Sequence, residues 1–223
     1  MCFLILPVAG DGCQDGWVPQ ARPYGGVEAP ERLAQRRRQL LDAGLQLLGG
    51  ADDPPELTVR GICTQAGISA RYFYESFKDK DQLVAAVYDW VIADIAATTQ
   101  AAVAAAPRGE QNRAGIANLV RTIAGDARIG RLLFNPQLSN AVLARKRAEV
   151  GGVFALLSGQ HVTAAYQQPE NGWTKSVAHF VVGGVGQTIS AWVSGEIELD
   201  QVQLVEQLAR IVDGLAAREL DRS

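Results

Sequence analysis

The stretch "LTVRGICTQAGISARYFYESFKDK", residues 57–80, contains two short helical patterns separated by a glycine. Thr58 is a typical N-cap residue, and the apolar residues that follow it recur on one side of a helix: Val59, Ile62, Cys63 and Ala66. Gly67 can adopt turn conformations that a Cβ disfavours, and Ser69 is a second N-cap residue. Two short helices joined by a tight, glycine-containing turn predict a helix-turn-helix.

The aromatic residues of the second helix divide into two sets. At about 100° per residue, Phe73 and Phe77 lie on one face, and we expect them to pack as an i,i+4 pair. The opposite face then carries Arg71, Tyr72, Tyr74 and Glu75. Arginine can donate two hydrogen bonds to a guanine edge, and tyrosine can contact phosphates and thymine methyl groups, which favours DNA reading. The alternative is a surface salt bridge between Arg71 and Glu75, with both tyrosines packed on neighbouring helices.

Nearly all of the chain from residue 31 onward has helical patterning. A first helix stops at Gly49 and Gly50. Asp79 and Gln82 form a capping-box pattern that begins a long helix ending at Pro107. Further helices are predicted at 110–125, 127–134, 139–160, 173–194 and 201–220. Since no segment alternates convincingly with period two, the predicted fold class is all-α.

Composition excludes several classes of protein. The 223 residues include 21 Lys and Arg against 24 Asp and Glu, and this net charge of −3 argues against indiscriminate nucleic-acid binding. No apolar run approaches the roughly 18 residues of a membrane span, so we expect a cytoplasmic protein without membrane contact. The three cysteines form no C-x-x-C motif, and His161 and His179 are isolated. We therefore expect no metal site, no cofactor and no catalytic residues.

The segment "TVRGICTQAGISARYFYESFKDKDQLVAAV", residues 58–87, resembles the DNA-binding region of the TetR/AcrR family of bacterial transcriptional regulators. Upstream, "RRRQLLDAGLQLL" resembles the first helix of that family, and residues 181–215 resemble its two C-terminal dimerisation helices. The resemblance implies a three-helix helix-turn-helix domain at 31–90 and a larger helical ligand-binding and dimerisation domain at 91–223. Residues 1–30, rich in Gly and Pro, are interpreted as a flexible N-terminal extension.

The resemblance also implies roles for individual residues. Positions that touch DNA phosphates in the family correspond to Thr58, Tyr74 and Lys80, and base-reading or groove-facing positions correspond to Arg60, Ala70, Arg71 and Tyr72. The cap residue Ser69 is counted with them. Gly44 stands where the family usually has Ala, at a mild cost in helix propensity. Two interpretations stay open for Arg36, Arg37 and Arg38: contacts to the DNA backbone, or a solvated cationic face.

The C-terminal part is consistent with pairing of two chains through the last two helices. Gly183, Gly184 and Gly186 would permit close helix approach, and the last helix carries an apolar stripe: Val202, Val205, Leu208, Ala209, Val212 and Leu215. The family binds a small molecule in this region. The aromatic candidates for that pocket are Trp90, Phe134, Trp173, Phe180 and Trp192. The scarcity of charge near them favours an apolar or aromatic effector.

These observations predict a homodimeric repressor that binds double-stranded operator DNA and is released by a small ligand. One alternative is a DNA-binding regulator that responds to a protein partner or has no ligand. A second alternative, from another class, is an all-α enzyme. It is disfavoured because neither histidine has an Asp, Cys or Ser at motif spacing.

Overall fold

The computed structural model describes residues 29–51, 56–135, 138, 140–151 and 172–220. These residues form helices and no strand, so the all-α prediction is confirmed over this part of the chain. The helices are α1 (Ala29–Gly49), α2 (Val59–Ala66), α3 (Ala70–Ser76), α4 (Lys80–Ala105), α5 (Gln111–Gly125), α6 (Ala127–Phe134), α7 (141–151), α8 (Gly172–Val193) and α9 (Gln201–Leu220). None of them is long and apolar enough to cross a membrane.

Helix α1 begins earlier than the predicted domain boundary at residue 31. Ala29 and Pro30, which were assigned to the N-terminal extension, are its first residues. Proline suits the first turn of a helix because its missing N–H would have no intrahelical partner there. The rest of the predicted extension, residues 1–28, lies outside the described residues.

The caps predicted for the helix-turn-helix are present, with one difference. Thr58 Oγ1 accepts a hydrogen bond from the Gly61 amide at 3.0 Å. Gly67 ends α2 in the left-handed region, with φ 66°, and its amide reaches the last carbonyls of that helix. Ser69 precedes α3 in an extended conformation, but its side chain makes no capping hydrogen bond.

The start of α4 shows the predicted capping pattern in a shifted form. Asp79 Oδ1 accepts from the Gln82 amide at 2.8 Å. Gln82 Oε1 accepts in return from the Lys78 amide at 2.6 Å, one residue before the position of the standard capping box. Helix α4 then runs to Ala105 and ends before Pro107, as predicted.

Two hydrophobic clusters form the interior. The larger joins α1, α2, α3 and α4 with α6 and the start of α7, and it includes Leu40, Ile62, Phe73 and Leu132. The smaller joins α5, α8 and α9 through Val120, Ile123, Ile189, Leu204, Val205 and Leu208. Phe134, at the end of α6, packs against both clusters.

Helix α6 connects α1 to the helices of the C-terminal part, α5 and α8. Arg131 Nη1 donates to the Gly49 carbonyl at 2.9 Å, and Arg128 Nη1 donates to Gln46 Oε1 at 3.1 Å. Asp126 caps α6 and accepts from the Arg128 guanidinium, which holds the pKa of that carboxyl below its usual value. On its other side, α6 contacts α8, where Ser190 Oγ donates to the Phe134 carbonyl at 2.9 Å.

The described part of α7 docks on α4. Lys146 Nζ pairs with Asp89 at 2.9 Å, and Arg147 Nη2 donates to the Leu132 carbonyl at 2.7 Å. Burial raises the pKa of Tyr88 to about 12 and lowers the pKa of Arg147. The rest of the helix predicted at 139–160 lies outside the described residues.

Candidate DNA-binding surface and ligand groove

The buried side of α3 is formed by Phe73 and by Phe77, the residue that follows the helix. Phe73 is 0% exposed and Phe77 is 2% exposed, and their ring centroids lie 5.8 Å apart. Phe77 follows the last helical residue and has an extended backbone, yet its ring still packs beside Phe73. The predicted aromatic pair therefore fixes one face of α3 against α1 and α4, which leaves the opposite face outward.

The outward face of α3 is open to solvent. The Arg71 side chain is 86% exposed, and Tyr74 is 60% exposed. Tyr72 is less open, at 38%, because the guanidinium of Arg36 from α1 covers its ring at 4.1 Å. The predicted Arg71–Glu75 contact is present as an ion pair with Nε 3.6 Å from Oε1.

The remaining predicted DNA-binding residues lie at the start of α2, α3 and α4. Arg60, Ser69 and Ala70 are exposed on α2 and at the start of α3. Thr58 uses its oxygen as an acceptor within the α2 cap, so its hydroxyl hydrogen can donate to a phosphate oxygen. Lys80, at the start of α4, is half-buried, and its Nζ lies 3.5 Å from Glu56 Oε1.

The three consecutive arginines of α1 contact aromatic rings, which the sequence did not predict, and both interpretations of them stay open because Arg37 and Arg38 remain exposed. Each guanidinium lies over an aromatic ring of the same domain: Arg36 on Tyr72, Arg37 on Phe77 and Arg38 on Trp90, at 4.1, 4.4 and 4.4 Å. Arg37 Nη1 also donates to the Ser76 carbonyl at the end of α3. These arginines attach α1 to α3 and α4, because a cation over a ring is attracted by its quadrupole.

Two of the predicted ligand-binding aromatics come together. Phe134 and Trp192 line a groove of about 680 Å³ between α5, α6 and α8. Trp192 is held there by a hydrogen bond from Nε1 to the Leu199 carbonyl, at 2.8 Å. The rest of the lining consists of Ile123, Ala124, Ala127, Gly130, Arg131, Asn135, Ser190, Val193 and Ser194. The sequence did not predict most of these lining residues, because the pattern of small and branched side chains in a sequence does not distinguish a pocket from a hydrophobic core.

The other predicted ligand-binding aromatics lie elsewhere. Trp90 packs against the larger cluster under Arg38. Phe180 is 65% exposed on α8 and therefore belongs to an outer surface. Trp173 lies in the first turn of α8, but its side chain is outside the described residues.

A second cavity, of about 520 Å³, lies between α5 and α9. It is lined largely by charged residues, and Arg113 pairs with Glu206 across it at 2.6 Å. An apolar molecule in this cavity would lie against four charged side chains: Arg113, Glu206, Arg210 and Asp213. The groove beside Phe134 and Trp192 is therefore the better candidate for an apolar or aromatic ligand.

Comparison with known proteins supports the assignment of the N-terminal half. Residues 40–87 match the family model described as bacterial regulatory proteins, tetR family. This range contains most of α1, all of α2 and α3, and the start of α4. A search of curated protein sequences found no match.

Solved structures resemble the whole fold at low sequence identity. A fatty acid degradation regulator, FadR, from Bacillus halodurans has a TM-score of 0.64 at 17% identity, over 78% of this chain and 96% of its own. FadR from Bacillus subtilis, in complex with stearoyl-CoA, has a TM-score of 0.63 at 19% identity, with the same two coverages. A putative TetR-family regulator from Syntrophomonas wolfei has a TM-score of 0.69 at 13% identity, covering 82% and 96%.

The matched family and these structural neighbours are transcriptional regulators rather than enzymes. The motif match and the fold agree, because the family model covers the same helices that present Arg71 and Tyr74 outward. Residues 40–87 thus match the helix-turn-helix of the tetR family model, and helices follow it in the described C-terminal part of the chain.

Proposed function

We propose that the protein is a homodimeric transcriptional repressor that binds operator DNA through α3 and is released by a small apolar or aromatic ligand. The observation that carries the proposal is the division of α3, whose two phenylalanines are buried while the Arg71 side chain is 86% exposed. A helix held down by its apolar face and open on a face with Arg and Tyr suits the major groove.

Pairing of two chains is supported by the outer face of α8. Phe180, Gly183, Gly184 and Gln187 follow helical spacing and are all exposed. A Cβ added to Gly183 or Gly184 would meet no atom of the described residues within 4 Å, so no contact among those residues explains these glycines. A second copy packed on this face would explain them, and the operator of such a dimer should then carry two half-sites roughly 34–36 Å apart.

Release by a ligand would act through α6. Its residues Gly130 and Phe134 line the groove, and its Arg131 holds the last carbonyl of α1. A ligand that wedges between α6 and α8 would shift this contact and so tilt the helix-turn-helix relative to the dimer. Long-chain acyl-CoA, present in the Bacillus subtilis structure, is a rational first ligand to test because its chain is apolar.

The first experiment is selection of bound sequences from a random DNA pool with the full-length protein. We expect a sequence with two related half-sites. Arg71→Ala should weaken binding to it by about 1–3 kcal/mol, with little change on random DNA, because a bidentate arginine distinguishes guanine from other bases. Equal loss on both DNAs would make Arg71 a phosphate contact, and failure to select any sequence would refute the proposed function.

A further inference from the structure

Glu75 lies between two arginines that belong to different helices. Its Oε2 is 3.6 Å from Arg36 Nη2 of α1, and its Oε1 is 3.6 Å from Arg71 Nε of α3. The Glu75 side chain is 37% exposed, whereas that of Arg71 is 86% exposed. The three charged side chains form a short row, from Arg36 on α1 through Glu75 to the exposed Arg71 on α3.

Arg36 is the fixed end of this row. Its side chain is 27% exposed, its guanidinium lies over the Tyr72 ring at 4.1 Å, and its Nε is shielded from solvent. An arginine held by a ring on one face and a carboxylate at its edge has little rotamer freedom left. Glu75 therefore has one oxygen directed at an anchored cation, which limits where its other oxygen can lie.

The contact to Arg71 leaves the reading end of that side chain available. Glu75 approaches Nε, so the terminal nitrogens of Arg71 extend beyond the ion pair. An arginine that reads guanine needs two donors in a fixed fork. Restraining its stem before DNA arrives reduces the side-chain entropy lost on binding.

A carboxylate on a surface that approaches DNA has an electrostatic cost, since it repels phosphates. Such a residue weakens binding to every sequence unless it improves reading of a particular base. Among the described residues, Glu75 pairs with Arg36 and Arg71. The arrangement thus favours specificity over general affinity.

Resting on the proposed function, we propose that Glu75 and Arg36 are positioning residues that hold Arg71 for guanine reading and so set the sequence specificity of the protein. Arg71 makes the base contact, Glu75 orients it, and Arg36 orients Glu75. Sequence patterning could not assign this role to Arg36, because only the fold brings α1 beside the outer face of α3.

The decisive variant is Glu75→Gln, which keeps the shape of the side chain and removes its charge. Affinity for the selected sequence should fall at least about threefold, in the range of directly coupled residues. Affinity for random DNA should rise, because one repulsive charge is gone. A merely repulsive Glu75 would instead give a rise on both DNAs, and that result would overturn the proposal.

A double-mutant cycle tests whether Arg36 and Glu75 act through Arg71. With Arg71→Ala already present, Glu75→Gln and Arg36→Ala should no longer reduce discrimination between the selected sequence and random DNA. Additive effects would overturn the proposal, because independent residues show no such coupling. Substituting the guanine itself should abolish the effect in the same way.

Arg37→Ala is the matched control. Arg37 neighbours Arg36, carries the same charge and also attaches α1 to α3, but it contacts Phe77 and the Ser76 carbonyl rather than Glu75. Loss of helix docking would affect both variants alike, as measured by thermal unfolding. Only Arg36→Ala should reduce discrimination between the selected sequence and random DNA in a way that depends on Arg71. An equal dependence on Arg71 for Arg37→Ala would overturn the proposal.

If the unmodified protein selects no sequence, the proposed function itself fails, which is a distinct outcome.

Discussion

Gly44 in α1 and Gly184 in α8 are both helical glycines, but among the described residues only Gly44 lies close to a neighbouring helix. A Cβ on Gly44 would lie 2.7 Å from Val87 Cγ2 and 3.1 Å from Leu83 Cδ2 of α4. A Cβ on Gly184 would meet no atom of the described residues within 4 Å. Helix α1 therefore packs closely on α4 at Gly44, whereas no described atom covers Gly184 on the outer face of α8.

The difference shows how the two halves obtain stability. Glycine in a helix costs roughly 1 kcal/mol relative to alanine, so each position requires a compensating contact. For Gly44 that contact is α4 of the same chain, which gives a structural reason for the departure from the usual family residue. For Gly184 the compensating contact has to come from outside the described chain, and we propose a second copy.

The largest effect should come from Phe73→Ala, compared with Phe180→Ala. Phe73 is fully buried, so its truncation should lower the free energy of unfolding by about 3–5 kcal/mol. Phe180 is 65% exposed, so the same truncation should change the unfolding of the single chain little. Chemical denaturation measured below the concentration of dimer formation would check both, and similar losses would contradict the comparison.

Gly184→Leu should break the proposed dimer without unfolding the helix-turn-helix. A Cβ at this position would meet no described atom within 4 Å, but a leucine there would hold a second α8 away. Operator affinity should fall by about a hundredfold, because the second half-site contact becomes intramolecular in a dimer. Light scattering and operator binding on the same preparation would measure both quantities.

Ala101→Leu provides the control for Gly184→Leu. Ala101 is an exposed position on α4, so the substitution places a leucine side chain on an exposed helix surface away from α8. This variant should remain dimeric and bind operator normally. A Gly184→Leu protein that also stays dimeric would assign the open glycines to another role.

The sequence was most informative where one chain segment determines its own structure. The caps at Thr58 and Asp79, the turn at Gly67 and the burial of Phe73 all depend on neighbours within a few residues. The roles of the α1 arginines depended on residues more than thirty positions away, so their stacking on aromatic rings was not predictable from local patterns.

The apolar stripe of α9 illustrates the same limit. Val205, Leu208 and Ala209 are buried within the chain, together with Leu204, which the predicted stripe omitted. Val202 remains 67% exposed at one edge. Periodicity identifies an apolar stripe, but it cannot distinguish contact with α5 from contact with another molecule.

A smaller effect is expected from Gly44→Ala, which tests the close packing of α1 on α4 at this position. Alanine improves helix propensity by up to about 1 kcal/mol, but overpacking against a fully buried Val87 costs typically about 1–3 kcal/mol. We expect a net loss of about 1 kcal/mol in the free energy of unfolding, measured by denaturant titration. A gain in stability would show that α1 and α4 can separate at little cost.

The smallest effect should come from Lys80→Ala, which separates the charged surface of the DNA-binding half from the apolar face of α8. Lys80 is half-buried beside Glu56, at 3.5 Å, and we expect it to contact one phosphate. Its loss should weaken binding to every sequence alike and reduce the slope of log affinity against log salt by about 0.9, the contribution of one phosphate. Dimerisation should be unchanged, because the proposed pairing through α8 depends on close packing rather than on charge.

The control is Arg145→Ala, which removes an exposed cation from α7 and should leave the salt slope unchanged. Because each released counterion contributes separately, an unaltered slope in Lys80→Ala would remove Lys80 from the DNA contact even if affinity fell.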